Sequence, residues 1–444
     1  MVVRVQEGGS TMEQNIKLAN ELIDFIYESP TAFHAVSTVK SVLLGEGFNE
    51  LKDSEKWKLE KGGKYFVTKN DSALIAFIVG KGALEEHGFK LIGAHTDSPS
   101  FRVKPSPEMT SENIYVRLNT EVYGGPILNT WLDRPLAIAG RVTLKGENPL
   151  FPDTKLVNVN KPILVIPNLA IHMNREVNQG VELNRQKDML PLLSLINENL
   201  EKDRYLLNTV ASELSVAVED ILDFDLFLYE YEKGRVIGLN EEFISSPRLD
   251  DLSMVHAGIK ALINAEVNMA TNVMVCFDNE EVGSSTKQGA DSNLLSDILE
   301  RIVLSFNGGR EDFFRALASS FMISADLAHA VHPNQGEKHD PINRPVINKG
   351  PVIKISANQS YTSDSNSIAV YEQICKNAGV PIQKFVNRSD LRGGSTIGPI
   401  SSTHLHIRSV DMGTPILAMH SIRELGGVED HNYVIKSFEE FYRI

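Results

Sequence analysis

Apolar positions recur in two rhythms along the chain. Near the N-terminus Ile16, Leu18, Leu22, Ile23 and Ile26 fall at helical spacing. Pro30 stops that helix, and Ser29-Pro30-Thr31 can cap a second one carrying Phe33, Val36, Val39 and Leu43. Residues 1–11 have no periodicity and read as a loose tail. Segments 65–68 and 73–79 predict a hairpin across Asn70-Asp71, and 90–94 a short apolar strand that runs abruptly into His95-Thr96-Asp97-Ser98-Pro99. From about 101 to 240 the rhythm changes. Segments 114–118, 137–144, 163–166 and 221–229 alternate as half-exposed antiparallel strands do, and a stretch rich in Asn, Gln, Arg and Glu lies between 174 and 187.

After residue 240 helices and apolar strands take turns again. Leu252, Val255, Ile259 and Leu262 mark one helix, and 272–277 a strand. A helix near 294–304 is followed by strands at 321–325, 352–355, 382–386 and 406–410, with a helix at 365–376 among them. Val434, Ile435, Phe438 and Phe441 mark a closing amphipathic helix. The pattern predicts an α/β fold: a three-layer domain with a mostly parallel sheet flanked by helices, built from 1–100 and 241–444. A β-rich domain, 101–240, is inserted into it.

Polar chemistry gathers where the predicted strands end. The strand at 272–277 runs into Asp278-Asn279-Glu280-Glu281-Val282-Gly283, and in open α/β sheets ligands bind beyond the carboxyl ends of strands. Alone, such a glutamate pair reads as a solvated acidic turn. A lone His95 or His420 reads as a hydrogen-bonded histidine, Asp250-Asp251 as the acidic start of a helix, and Asp326 as a turn cap. Their recurrence at successive strand ends changes the reading. Imidazoles and carboxylates without thiolates suit Zn²⁺, Mn²⁺ or Co²⁺, and this many donors exceed the needs of one tetrahedral ion. A carboxylate bridging two ions gives a two-metal site, with one glutamate as ligand and its neighbour handling a proton. Asp97, two residues after His95, can hold the other imidazole nitrogen. The glycine-rich run 393–398 lacks the lysine and spacing of a phosphate loop.

Composition narrows the field. At 444 residues the chain exceeds one ordinary core. A net charge of −14 argues against nucleic acid, since no basic stripe meets phosphates. No apolar run approaches the roughly 20 residues that span a bilayer, and no apolar signal core stands at the N-terminus. With only Cys276 and Cys375 present, neither disulfides nor thiolate metal sites are predicted, and a reducing cytoplasm fits.

Taken together, the motifs resemble the M18 family of metallo-aminopeptidases, which includes aspartyl aminopeptidase and vacuolar aminopeptidase I. The likeness rests on Gly93-Ala94-His95-Thr96-Asp97-Ser98-Pro99, Trp131-Leu132-Asp133-Arg134, Leu169-Ala170-Ile171-His172 and Ser246-Pro247-Arg248-Leu249-Asp250. It continues through Asp278-Asn279-Glu280-Glu281-Val282-Gly283-Ser284, the run 324–334 with His332, Gly394-Ser395-Thr396-Ile397-Gly398-Pro399 and Ala418-Met419-His420-Ser421. The resemblance implies a catalytic domain that holds two divalent ions, Zn²⁺ with Co²⁺ or Mn²⁺ as alternatives. One would be bound by His95, Asp250 and Asp326, the other by Asp250, Glu281 and His420, with Glu280 as general base. Asp97, Gly394, Ser395 and His332 would surround the metals or substrate. The inserted domain would make dimers that build a tetrahedral dodecamer, in which His172 reaches a neighbour's site and stabilises the oxyanion.

The resemblance implies release of N-terminal residues from peptides. Where the acidic-specific branch carries a lysine this chain has Asn358, so acidic and neutral or apolar residues both stay open as substrates. Asp251 stands where the family often has Asn. Dinuclear sites of this type also serve carboxypeptidases and amide deacylases, and a self-assembling shell or binding protein is the non-enzyme alternative.

Overall fold

The computed structural model describes residues 5–196, 204–391 and 393–444. The chain divides into two compact units. The first takes Met1–Asp97, Gly234–Met419 and Glu424–Ile444; the second takes Ser98–Lys233 and His420–Arg423.

The first unit is built on a sheet of nine strands among the described residues. Its centre is four parallel neighbours, Thr271–Phe277, Phe89–His95, Phe321–Ala325 and Arg408–Gly413. Antiparallel pairing occurs toward the edges. Lys64–Lys69 pairs with Ala73–Ile78 and that strand with Thr271–Phe277 on one side, and Val352–Ile355 pairs with Arg408–Gly413 on the other. The central strands are buried at nearly every position because both faces are covered. Ile92, Ala94, Met274 and Cys276 face one core, where helices Val5–Tyr27, Leu249–Asn264 and Val428–Arg443 contribute Leu22, Leu262 and Phe438. Leu91, Val273, Val275 and Phe277 point the other way and meet Ile298 and Phe313 from helices Leu294–Ser305 and Arg310–Ala318. This two-residue alternation creates the three layers.

Among its described residues, the second unit carries a six-stranded sheet, the long strands being Ser100–Ser111, Tyr115–Tyr123, Leu136–Asn148, Phe151–Asn158 and Ile221–Glu230. Its pairings are antiparallel. Leu136, Ile138, Val142 and Leu144 alternate into one core, where the Trp131 ring meets Phe101 edge-on at 4.9 Å. Segment 163–166 forms isolated bridges rather than the expected strand.

One expectation is corrected. Helix Val5–Tyr27 begins within the segment read as a loose tail; residues 1–4 lie outside the described ones. The apolar rhythm marks only the later turns, from Ile16 onward, and the earlier turns extend from that anchored part. Residues 420–423 cluster with the second unit. Ile422 enters the second unit's core, and the Arg423 guanidinium donates to the fully buried Glu230 carboxylate from Nε at 3.1 Å, with Nη2 3.0 Å from Oε2. Arg134 reaches the same carboxylate at 3.1 Å. No helix of the described residues is long and apolar enough to cross a membrane.

Candidate active site

The four parallel strands end on one edge of the sheet. Phe277 is in register with His95, and Ala325 with Met412, so residues 95, 278–281 and 326 leave the sheet side by side. Asp250 arrives from the start of helix Leu249–Asn264, where the backbone of Asp250 and Asp251 is not yet helical. Its amide donates to Glu424 Oε2 at 3.0 Å, which fixes the approach of the side chain. After strand Thr271–Phe277, Asn279 takes a left-handed conformation, Glu280–Val282 form a single 3-10 turn, and Gly283 follows at φ 98°. Glycine adopts that conformation without a Cβ penalty.

The centre of the cluster is the His95 imidazole, 1% exposed. Its Nε2 lies 3.5 Å from Asp250 Oδ1, 3.8 Å from Asp326 Oδ1 and 3.9 Å from Glu280 Oε2. Its Nδ1 is turned to Asp97, 3.1 Å from the main-chain oxygen and 3.3 Å from Oδ1. Asp97 in turn accepts the amides of Glu280 and Glu281, each at 3.1 Å. Beneath the ring, Asp251 accepts the His95 amide at 3.0 Å.

This much negative charge in so little water is unstable by itself. Burial opposes a charged imidazole at His95, yet Asp251, Asp250, Asp326 and Asp97 outweigh it and raise its pKa well above the usual value. Burial, helped by Asp326, Asp97 and Asp250 and opposed by His95, pushes the Glu280 carboxyl up to about 8. Burial also lifts Asp251 well above the carboxylate range, with Asp326 and Asp250 adding to it. Such an arrangement calls for a cation. The donor set fits one: single ligand atoms of His95, Asp250, Asp251 and Asp326 lie within 4.8 Å of one another, as do those of His95, Glu280 and Glu281. Two donors on one tetrahedral zinc ion stand roughly 3.4 Å apart, close to the 3.5 Å between His95 and Asp250.

His332 is exposed and its Nδ1 accepts the Asn334 amide at 3.1 Å. Gly394 is exposed, and Ser395 donates to the main-chain oxygen of Ser360 at 3.2 Å. In the second unit, His172 is exposed in the turn at 171–173, and the Nδ1 of His420 lies 3.1 Å from the carbonyl oxygen of Gly125. Sequence reasoning missed Lys354. Its buried ammonium donates to Leu327 O at 3.0 Å and stands 3.5 Å from Asp326 Oδ2. The available signal was a charge inside a short apolar strand, which is retained only with partners.

Comparison with known proteins turns this geometry into an identity. Residues 25–442 match the family described as Aminopeptidase I zinc metalloprotease (M18). The chain belongs to the M18 aminopeptidase family. It is 70% identical over 433 residues to the Probable M18 family aminopeptidase 2 of Clostridium novyi, spanning 98% of this chain and 100% of that one. Among solved structures, the fold resembles a chain of the Ape4 and Nbr1 complex, with TM-score 0.93 and 38% identity over 97% of this chain and 86% of that one. It also resembles the S. cerevisiae mApe1 dodecamer, with TM-score 0.84 and 30% identity over 96% of both chains. As a member of the M18 family, the chain is a metal-dependent aminopeptidase, a peptide hydrolase acting at N-termini.

Proposed function

We propose that this M18 aminopeptidase works with two divalent ions, one held by His95, Asp250 and Asp326 and the other by Asp250, Glu281 and His420. The observation that carries the reading is the convergence of Asp250 and Asp326 on the Nε2 of His95 within 3.8 Å, with Glu280 beside them at 3.9 Å. Ions bound there supply a Lewis acid for the scissile carbonyl and lower the pKa of a water. Glu280 accepts the proton of the attacking water at a carboxylate oxygen and returns it to the leaving amine as the C–N bond breaks. Asp97 keeps Glu280 and Glu281 in position through their amides, so one carboxylate serves as base and the next as ligand.

The second unit serves as a dimerisation domain, over 101–240 by the sequence reading, in a homo-oligomer built from dimers. Similarity to the mApe1 dodecamer supports that assembly. His172, exposed within its own chain, would act in a neighbouring subunit's site as an oxyanion donor. Zn²⁺ is favoured by the family description, and two free buried cysteines suit a reducing cytoplasm.

The testing experiment assays a panel of aminoacyl amides, acidic, neutral and apolar, with Zn²⁺, Mn²⁺ and Co²⁺ in turn, beside N-acylated counterparts. Hydrolysis restricted to free-amine substrates is expected, and the panel ranks the preferred N-terminal residue. Turnover of the N-acylated series alone would favour an amide deacylase.

A further inference from the structure

Asp411 lies outside the ligand cluster and outside every role assigned above, yet it is fully buried. It stands on the central strand Arg408–Gly413, in register with Ser324, two residues before Asp326. A carboxylate buried there is costly unless its lone pairs are met. They are met by two separate loops. Oδ2 accepts the Thr362 amide at 2.5 Å, and Oδ1 accepts the Thr396 hydroxyl at 2.8 Å. The Asp411 amide donates to Ser363 Oγ at 2.9 Å. Ser395 and Ser360 bond the same two loops to each other at 3.2 Å.

Both loops border the candidate active site. Loop 360–363 carries Tyr361, whose ring centroid is 5.4 Å from the Lys354 ammonium, the group that stands 3.5 Å from Asp326. Loop 393–396 leads into helix Ile397–Leu405, and a Cβ on Gly93, two residues before His95, would lie 3.3 Å from Ile397 Cδ1. Gly398 allows the close approach of that helix: a Cβ there would stand 2.6 Å from Asp411 Oδ2. The same carboxylate therefore sets the position of the helix start and of the Tyr361 loop relative to the strand that delivers Asp326.

We propose that Asp411 is a positioning residue: it locks loops 360–363 and 393–396 together as one wall of the substrate site, so substrate binding depends on it more than the chemical step does. The proposal rests on the two-metal aminopeptidase reading for its kinetic consequence. Asp411→Asn keeps the shape, leaves one neutral acceptor oxygen and puts an NH₂ donor in place of the other. Losing a hydrogen bond to a charged group is worth roughly one to two powers of ten in binding.

The expected result for Asp411→Asn is a KM about tenfold higher for a peptide substrate, with kcat within about threefold and metal content per chain unchanged. Amide hydrogen exchange in 360–363 and 393–396 should accelerate together. Thr396→Val, which removes only the hydroxyl, should raise KM in the same direction, and the double variant should add little beyond Asp411→Asn. If Asp411→Asn does not fold, Thr396→Val carries the test through KM and through exchange in the distant loop 360–363. A fall in kcat at unchanged KM, or exchange confined to wild-type rates in both loops, overturns the proposal. Absence of turnover by the wild type with every metal overturns the functional reading instead, and the exchange measurement still decides the role of Asp411.

Discussion

Asp97 Oδ1 accepts the backbone amide of Glu280 at 3.1 Å. The second oxygen takes the next amide, that of Glu281, at the same distance. One carboxylate thus clamps two consecutive residues whose side chains have different tasks, while its other face meets the His95 ring. Asp97→Asn presents an amide NH₂ to one of these two N–H donors. We expect metal affinity to drop about 10- to 100-fold, measured by competition with a chromophoric chelator. Affinity and kcat both equal to wild type would remove Asp97 from the site's support.

Glu280→Gln separates base from ligand. Its side chain loses the capacity to accept a proton but keeps its volume. Turnover should fall by about 10² to 10⁴, while metal content measured by elemental analysis stays at the wild-type value. Glu281→Gln should instead lower the metal content. Full activity of Glu280→Gln would rule out the base assignment.

Exhaustive chelation should inactivate the enzyme, and added Zn²⁺, Mn²⁺ or Co²⁺ should restore it. Titration of the metal-free protein should reach saturation at two equivalents per chain. A single equivalent giving full activity would argue for a mononuclear site.

His172→Ala should lower kcat without changing the thermal unfolding of the subunit, since the side chain is exposed. Unchanged kinetics would sink the idea that this residue acts in a neighbouring subunit.

A pH effect on stability follows from a pair of buried histidines packed between two helices. His256 Nδ1 and His431 Nε2 are 2.9 Å apart across helices Leu249–Asn264 and Val428–Arg443, and Phe25 packs on the His256 ring. Burial, with Lys260 adding to it, lowers His256 to about 3, and burial lowers His431 well below its usual value, with His256 and Lys260 contributing. Lys260 itself is held by Glu21. Both folded pKa values lie below the unfolded one, so the unfolded chain binds more protons below pH about 6.5. The pair's contribution is complete above that pH and declines as pH falls, by up to roughly 1.4 kcal/mol per unit for each histidine. Thermal melts from pH 7 to 5 should show a shallower decline for His256→Gln than for the wild type. Parallel curves would show that the pair does not titrate on unfolding.

Much of this was legible from local pattern. The strand Thr271–Phe277 and the pair after it stood out because a buried parallel strand is continuously apolar and its end is abruptly polar. His95 and Asp326 carried the same signature. Lys354 and Asp411 did not, because each is a charge inside a strand otherwise read by its apolar neighbours. What stabilises them is a set of partners distant in sequence: Asp326 and Leu327 for the lysine, Thr362 and Thr396 for the aspartate. The dual role of Asp97 was half visible. Spacing pointed to the imidazole, but the bonds to Glu280 and Glu281 cross more than 180 residues. Helix Val5–Tyr27 was missed at its start because its first turns have no apolar rhythm to read.

The return of residues 420–423 to the second unit has a consequence for taking the protein apart. That unit is not a cassette bounded by two cuts. Excising 98–233 would leave Ile422 without its core and Arg423 without the Glu230 carboxylate, and the four-residue strip carrying His420 would lose what holds it. Shuffling or swapping the inserted segment between relatives therefore has to carry a second, distant strip with it. Glu230, Arg134 and Arg423 form a compatibility set that must travel together.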